Sequence, residues 1–286
     1  MKKLKIIASV VSFIYALLSN ASGAVFSDSL NSGLVGYYGF NGNADDFSGN
    51  GNAGVENNIT YLADRFGNSG SAASFGSNSS VEIPGLSGLQ YHPTTYNLWL
   101  KMTQDPPPSR GFTIIGRKQV RDQQDGALMI ITFQAGNGSG DLGSDNEVIY
   151  YTGGYNAQSD YSITTNNWFN VSFTYDENQK ASFYINGILR KEISFVVPQI
   201  VSFPFIIGAS SILSGIDNND SNSWIGEIDD VGVWNTALSS SQISALYALQ
   251  SSQNTTAVPE PTTFLASLLV CCIGMLYRRR PWRSVK

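Results

Sequence analysis

Phe169-Asn170-Val171-Ser172-Phe173-Thr174-Tyr175 alternates apolar and polar residues without a break, and it decides the class of fold. A period of two places Phe169, Val171, Phe173 and Tyr175 on one face of an extended chain, because successive side chains of a strand point to opposite faces. A helix would scatter the same four residues around its circumference. Shortly after, Phe183-Tyr184-Ile185-Asn186-Gly187-Ile188 sets strand formers on both sides of Asn-Gly. That dipeptide tolerates the positive φ angles of a two-residue hairpin turn. Working outward, the same pattern predicts strands over 34–40, 79–83, 96–102, 113–117, 127–133, 147–152, 168–175, 181–186, 189–195, 203–207 and 225–234. Gly, Asn, Ser and Asp separate them. Many short strands with almost no helix indicate an all-β, two-sheet antiparallel sandwich, each sheet with one buried face.

One short C-terminal helix is expected. Ser239-Ser240-Ser241-Gln242 forms a capping box with Ser239 as N-cap and Gln242 at the third helical position. Ile243, Leu246 and Tyr247 then share a face that can dock on the sandwich edge. Residues 251–257 are a polar linker with nothing to pack.

The two ends read as addresses. Lys2, Lys3 and Lys5 precede an apolar core over 6–18 and the small residues Ala21-Ser22-Gly23-Ala24. This is the order of a secretory signal peptide, here 1–24, removed by signal peptidase. At the other end, Val258-Pro259-Glu260-Pro261 leads into an apolar run over 264–277 and then Arg278-Arg279-Arg280. As a helix the run spans about 21 Å, short of the roughly 30 Å hydrocarbon core that a permanent anchor crosses. The arginines would hold the extreme C-terminus on the cytoplasmic side. Residues 258–286 resemble the PEP-CTERM sorting signal of Gram-negative bacteria. That resemblance implies recognition by an exosortase-type membrane protease, cleavage near the box, and delivery to the cell envelope, outer surface or extracellular matrix, with transient anchoring in the inner membrane.

Setting the ends aside changes the charge. The whole chain carries −5, but residues 25–257 keep nine Lys and Arg against 21 Asp and Glu, about −12. Such a surface repels nucleic acid and anionic membranes and suits divalent cations. Both cysteines, Cys271 and Cys272, lie in the apolar tail, so the exported domain over 25–250 has neither disulfides nor thiolate metal sites.

Three segments together resemble the laminin-G-like, concanavalin A-like jelly roll. They are the stretch over 34–54 containing Asp45-Asp46-Phe47-Ser48-Gly49-Asn50-Gly51-Asn52, the two strands around Phe173 and Phe183, and Ile225-Gly226-Glu227-Ile228-Asp229-Asp230-Val231-Gly232-Val233-Trp234 with the helix that follows. The resemblance covers roughly residues 33–249. It implies that an aspartate of the first loop meets one of the last strand around Ca²⁺ of structural role. The matching residues are Asp46, with Ser48 and Asn50 beside it, and Asp229 or Asp230, of which Asp230 is assigned. The oxygen-rich loop suits a hard cation that takes six to eight oxygens. The same residues also read as an Asx-turn loop that satisfies its own backbone.

Laminarinase-type hydrolases share the sandwich and carry two glutamates on one strand, nucleophile and acid/base, which retaining chemistry places roughly 5 Å apart. Here Glu227 has no second glutamate, because Val231 or Gly232 stands at that position. A catalytic role is not expected. His92 is the sole histidine, within a turn-like Gln90-Tyr91-His92-Pro93, and the Gly-rich stretch over 136–143 reads as a hairpin loop. Trp99, Trp168, Trp224 and Trp234 mostly lie on strands and read as core, whereas Gly153-Gly154-Tyr155 and Tyr161 are candidates for an exposed sugar-stacking loop. The acidic loop over 217–222 reads as a solvated tip. The function expected is an exported, non-enzymatic binder of polysaccharide or a matrix protein. The alternatives are a purely structural envelope component and a glycan-active hydrolase.

Overall fold

The computed structural model describes residues 26–87, 94–106, 111–117, 129–133, 146–152, 155–194, 205–209 and 223–252. The signal peptide, most of the linker, the sorting signal, His92, the Gly-rich stretch over 136–143, Gly153-Gly154 and the acidic loop over 217–222 lie outside them. Among the described residues no helix is long and apolar enough to cross a membrane.

Among the described residues fifteen strands form two antiparallel sheets. The first joins β13 (Ile188–Ser194), β12 (Lys180–Ile185), β11 (Trp168–Tyr175), β6 (Thr94–Met102), β15 (Gly226–Trp234), β4 (Ala72–Phe75) and β3 (Thr60–Leu62), with β1 (Leu34–Tyr38) also on β15. The second joins β10 (Tyr155–Ser162), β9 (Glu147–Thr152), β8 (Met129–Phe133), β7 (Gly111–Arg117), β14 (Phe205–Ile207), β5 (Ser80–Ile83) and β2 (Val55–Asn57). The all-β sandwich expected from the alternation is thus what the chain forms.

Phe173 sits at the centre of the space between the sheets. Its ring stacks on Tyr150 at 4.3 Å and on Tyr96 at 6.3 Å, and meets Phe183 edge-on at 5.2 Å. These contacts span three strands of one sheet and one of the other, so one side chain ties both layers together. Phe169, Val171 and Tyr175 join it in the same core.

The polar half of the same strand departs from expectation. Asn170, Ser172 and Thr174 face away from the inter-sheet core yet are buried. A second apolar cluster lies on that outer side: Phe26, Leu30, Leu34, Tyr184, Trp234, Leu238, Ile243 and Leu246. It brings together α1 (Asp28–Asn31), the end of β15 and α2 (Ser240–Ser251). The capping box forms, with Ser239 N–H donating to Gln242 Oε1 at 2.9 Å and Gln242 N–H to Ser239 Oγ at 3.3 Å. The helix therefore packs on the face of the first sheet. Tyr247 stacks on Trp99 at 5.7 Å and presses on Gly187, where a Cβ would stand 2.8 Å from it. Gly187 at φ +71° is the hairpin glycine read from the sequence. One compact unit ends at Ala248, and residues 249–252 carry the last turn of α2 and the residue after it.

Candidate functional site

β15 changes partner along its length, and this creates the acidic site. Its first half pairs with β4, through Gly226, Glu227 and Ile228; its second half pairs with β1, from Val231 to Trp234. Between them, the pairing with β6 slips between Asp229 and Gly232, and Asp230 takes φ +49°. Ile228 and Val231 both enter the inter-sheet core, three residues apart instead of two. The extra residue is a β-bulge, and it turns Asp229 and Asp230 to the same outer side.

Both carboxylates are held by one residue. Arg65 Nη1 lies 2.7 Å from Asp229 Oδ2, and its Nη2 lies 2.6 Å from Asp230 Oδ2. The guanidinium is buried against Phe66 and Trp99, its carbon 4.5 and 4.4 Å from the two ring centroids. The remaining carboxylate oxygens are also occupied. Asp229 Oδ1 accepts the Asp230 amide at 2.8 Å, and Asp230 Oδ1 accepts the Tyr37 hydroxyl. Burial and then the Asp230 charge push the Asp229 carboxyl well above the ordinary carboxylate range, and Arg65 offsets part of the rise. Burial, followed by the Asp230 carboxylate, likewise raises the Tyr37 phenol well above its usual value.

The first loop is occupied differently. Asp46 Oδ1 accepts the amides of Tyr37 at 3.0 Å and Ser48 at 2.9 Å, and Oδ2 accepts that of Asn52 at 2.8 Å. Ser48 Oγ accepts from Asn50, through its amide at 3.3 Å and Nδ2 at 3.0 Å. Asn50 Nδ2 also donates to Leu34 O, and Asn52 Nδ2 donates to Val35 O at 2.8 Å. The loop is stitched to β1 by its own polar groups, the Asx-turn reading of the sequence.

The structure therefore links Asp46 and Asp230 through Tyr37, one at its amide and the other at its hydroxyl, rather than gathering the two around a shared cation. Among the described residues no group of three or more His, Cys, Asp or Glu could hold a metal ion. The residues assigned to Ca²⁺ do not fit it. Every carboxylate oxygen of Asp46, Asp229 and Asp230 already accepts a hydrogen, and a guanidinium within 2.7 Å opposes a second cation there.

Glu227, one step before the bulge, lies in a row of outward residues: Thr60, Ser74, Glu227, Lys101 and Trp168 are register neighbours across five strands. Its buried carboxylate faces the Lys101 ammonium at 3.2 Å, and that ammonium stands 5.4 Å from the Trp168 ring centroid. The position of a second glutamate is closed. Val231 is fully buried between the sheets, and a Cβ on Gly232 would lie 2.4 Å from the Trp234 ring.

Trp99, Trp224 and Trp234 are buried as expected, and Trp168 is half-buried. Tyr155 and Tyr161 are not in a loop: both belong to β10, and Tyr161 packs edge-on against Phe169 with the Arg190 guanidinium 4.5 Å from its ring. The residue that sequence reasoning missed is Arg65. Its only local signal is Asp64-Arg65-Phe66-Gly67-Asn68, a turn sequence in which an arginine reads as solvated.

The profile of the concanavalin A-like lectin/glucanases superfamily matches residues 75–244. No curated protein matches the sequence. Among solved structures, domain 4 of an extracellular family GH43 arabinanase from Geobacillus stearothermophilus, in complex with arabinotriose, is 21% identical with a TM-score of 0.57. The match covers 75% of this chain and 98% of that one. A botulinum neurotoxin type C structure, whose cell entry depends on two ganglioside molecules, is 16% identical with a TM-score of 0.52, covering 77% of this chain and 51% of that one. A Trypanosoma rangeli sialidase captured as a covalent intermediate is also 16% identical with a TM-score of 0.52, over 76% of this chain and 33% of its own. The chain thus spans about half of the toxin structure and a third of the sialidase.

Proposed function

Because this chain belongs to the concanavalin A-like lectin/glucanases superfamily, we propose that it is an exported, non-enzymatic module that binds carbohydrate or matrix polymers at the cell envelope. The observation that carries the reading is the likeness to a complete domain solved with an arabinose trisaccharide bound. At 21% identity that likeness is one of fold, so the sugar itself is not transferred.

Two further features support it. β15 has no room for a second catalytic carboxylate at Val231 or Gly232, the position where retaining hydrolases of this architecture place one. The two ends of the sequence read as a signal peptide and a sorting signal with Val258, Pro259, Glu260, Pro261 and the Arg278-Arg279-Arg280 cluster. An exosortase-type protease is the partner this tail calls for, with cleavage near Glu260 and a location at the envelope or outside the cell.

Affinity electrophoresis of the purified protein through gels containing different polysaccharides tests the binding. Retardation by at least one polysaccharide, without its degradation, is the expected result. Unchanged mobility in every gel would favour a structural envelope component. Polysaccharide turnover that disappears in Glu227→Gln would make the protein a hydrolase. For sorting, mass spectrometry of the envelope fraction should find chains ending near the Pro259–Pro261 box; chains retaining Lys286 would contradict the exosortase reading.

A further inference from the structure

We infer that Arg65 is the resident cation of the acidic site on β15, standing in place of the divalent metal that the sequence resemblance implies. Three features of the chain are organised around it. The connection between β3 and β4 is shaped to present it: Asp64 Oδ1 accepts the amides of Phe66 and Asn68, both at 2.8 Å, and Asp64 Oδ2 accepts Asn68 Nδ2 at 2.8 Å. Gly67 closes that turn at φ +87°. Arg65 is therefore held by its neighbours on both sides before it meets a carboxylate.

The site is also matched to a flat cation rather than a spherical one. The Phe66 and Trp99 rings both lie within 4.5 Å of the guanidinium carbon, and Trp99 is backed by Tyr247 from α2. Aromatic faces stabilise a guanidinium but give no ligand to Ca²⁺, which takes oxygens. The edge of the guanidinium meets two carboxylates through separate nitrogens, a directional contact that a point charge does not make.

Charge completes the case. Two adjacent carboxylates, Asp229 buried and Asp230 half-buried, repel, and the bulge that turns both outward would be unfavourable without a cation between them. Arg65 supplies the positive charge between them. The acidic site is thereby independent of the metal content of its surroundings, as suits a protein sent outside the cytoplasm. The inference does not rest on the binding of glycans, and its test reads stability alone.

The test is thermal unfolding of the purified full chain, in millimolar CaCl₂ and in EDTA, for wild type, Arg65→Ala, Arg65→Lys and the double variant Arg65→Ala with Asp230→Asn. The wild-type midpoint should be the same in both buffers. Arg65→Ala should unfold roughly 10 °C lower in EDTA, because it leaves the buried Asp229 carboxylate and its half-buried neighbour Asp230 without their cation. It should regain several degrees in Ca²⁺ as the metal takes the vacated position. The double variant should lose that Ca²⁺ response. If Arg65→Ala does not fold, Arg65→Lys keeps a charge without the fork or the stacking and should fall below wild type in both buffers. The inference is overturned if EDTA lowers the wild-type midpoint by several degrees, if Arg65→Ala unfolds at the wild-type temperature, if Ca²⁺ leaves a folded Arg65→Ala unmoved, or if Arg65→Lys matches wild type.

Discussion

The loop around Asp46 and the bulge around Asp229 and Asp230 are both acidic, both contact Tyr37, and satisfy their carboxylates in opposite ways. Asp46 is neutralised by three backbone amides, two of them within six residues of it. Asp229 and Asp230 depend on a charge that arrives from 164 and 165 residues away. An amide-bound carboxylate organises a turn, and several weak dipoles share the work. A cation-bound pair concentrates it in one side chain, so its loss leaves like charges facing each other in a buried place. The first arrangement is local and graded; the second is long-range and all at once.

The largest test of this difference is deletion of the cation. Arg65→Ala should cost about 3–5 kcal/mol in urea unfolding, since breaking a buried pair leaves uncompensated charge. Asp46→Ala should cost less, about 2–4 kcal/mol, by stranding amides at the base of the loop that water can partly reach. If Asp46→Ala proved the more damaging, the contrast between shared dipoles and a single cation would be broken.

Tyr37→Phe separates the regions more finely. It removes the hydroxyl that Asp230 accepts and leaves the amide that Asp46 accepts. A loss of about 1.5 kcal/mol is expected, the size of one hydrogen bond to a charged group. The loss should vanish in an Asp230→Ala background and persist in Asp46→Ala. Loss of equal size in both backgrounds would mean that the tyrosine supports the fold in some other way.

A pH series sharpens the comparison further. The Asp229 carboxyl is raised in the folded protein, so the folded state holds its proton more tightly than the unfolded chain does. Its contribution to stability is therefore greatest in acid. It declines as pH rises from about 4, the value of an unperturbed aspartate, through the raised folded value. Comparing urea midpoints of wild type and Asp229→Asn across this range should show the variant gaining relative to wild type as pH rises. A constant difference at every pH would remove the electrostatic strain assigned to Asp229.

The same contrast explains what could be read from sequence. The long strands were legible because alternation such as that of 169–175 is a local signal, and the hairpin at Asn186-Gly187 and the capping box at Ser239 are local too. The Asx turns of Asp46 were legible for the same reason, since Ser48 and Asn52 lie within the same loop. β2, β3 and β4 escaped because they have three or four residues each and no alternation to report. β10 escaped because Tyr155-Asn156-Ala157-Gln158-Ser159-Asp160-Tyr161-Ser162 is mostly polar, and its strand form comes from pairing with β9. The burial of Asn170, Ser172 and Thr174 depends on elements from both ends of the domain. Asp229 and Asp230 were visible as residues, but the bulge that orients them and the arginine that neutralises them are products of the tertiary fold. A lone arginine in a turn carries no mark of a destination on another strand.

One titration tests together the two proposals, that the sandwich binds carbohydrate and that it carries its own cation. An oligosaccharide from the polysaccharide that retards the protein most would be titrated calorimetrically into the full chain, once in millimolar CaCl₂ and once in EDTA. Saturable binding with the same Kd in both buffers is the expected result. Binding that disappears in EDTA, or no binding in either, would contradict it.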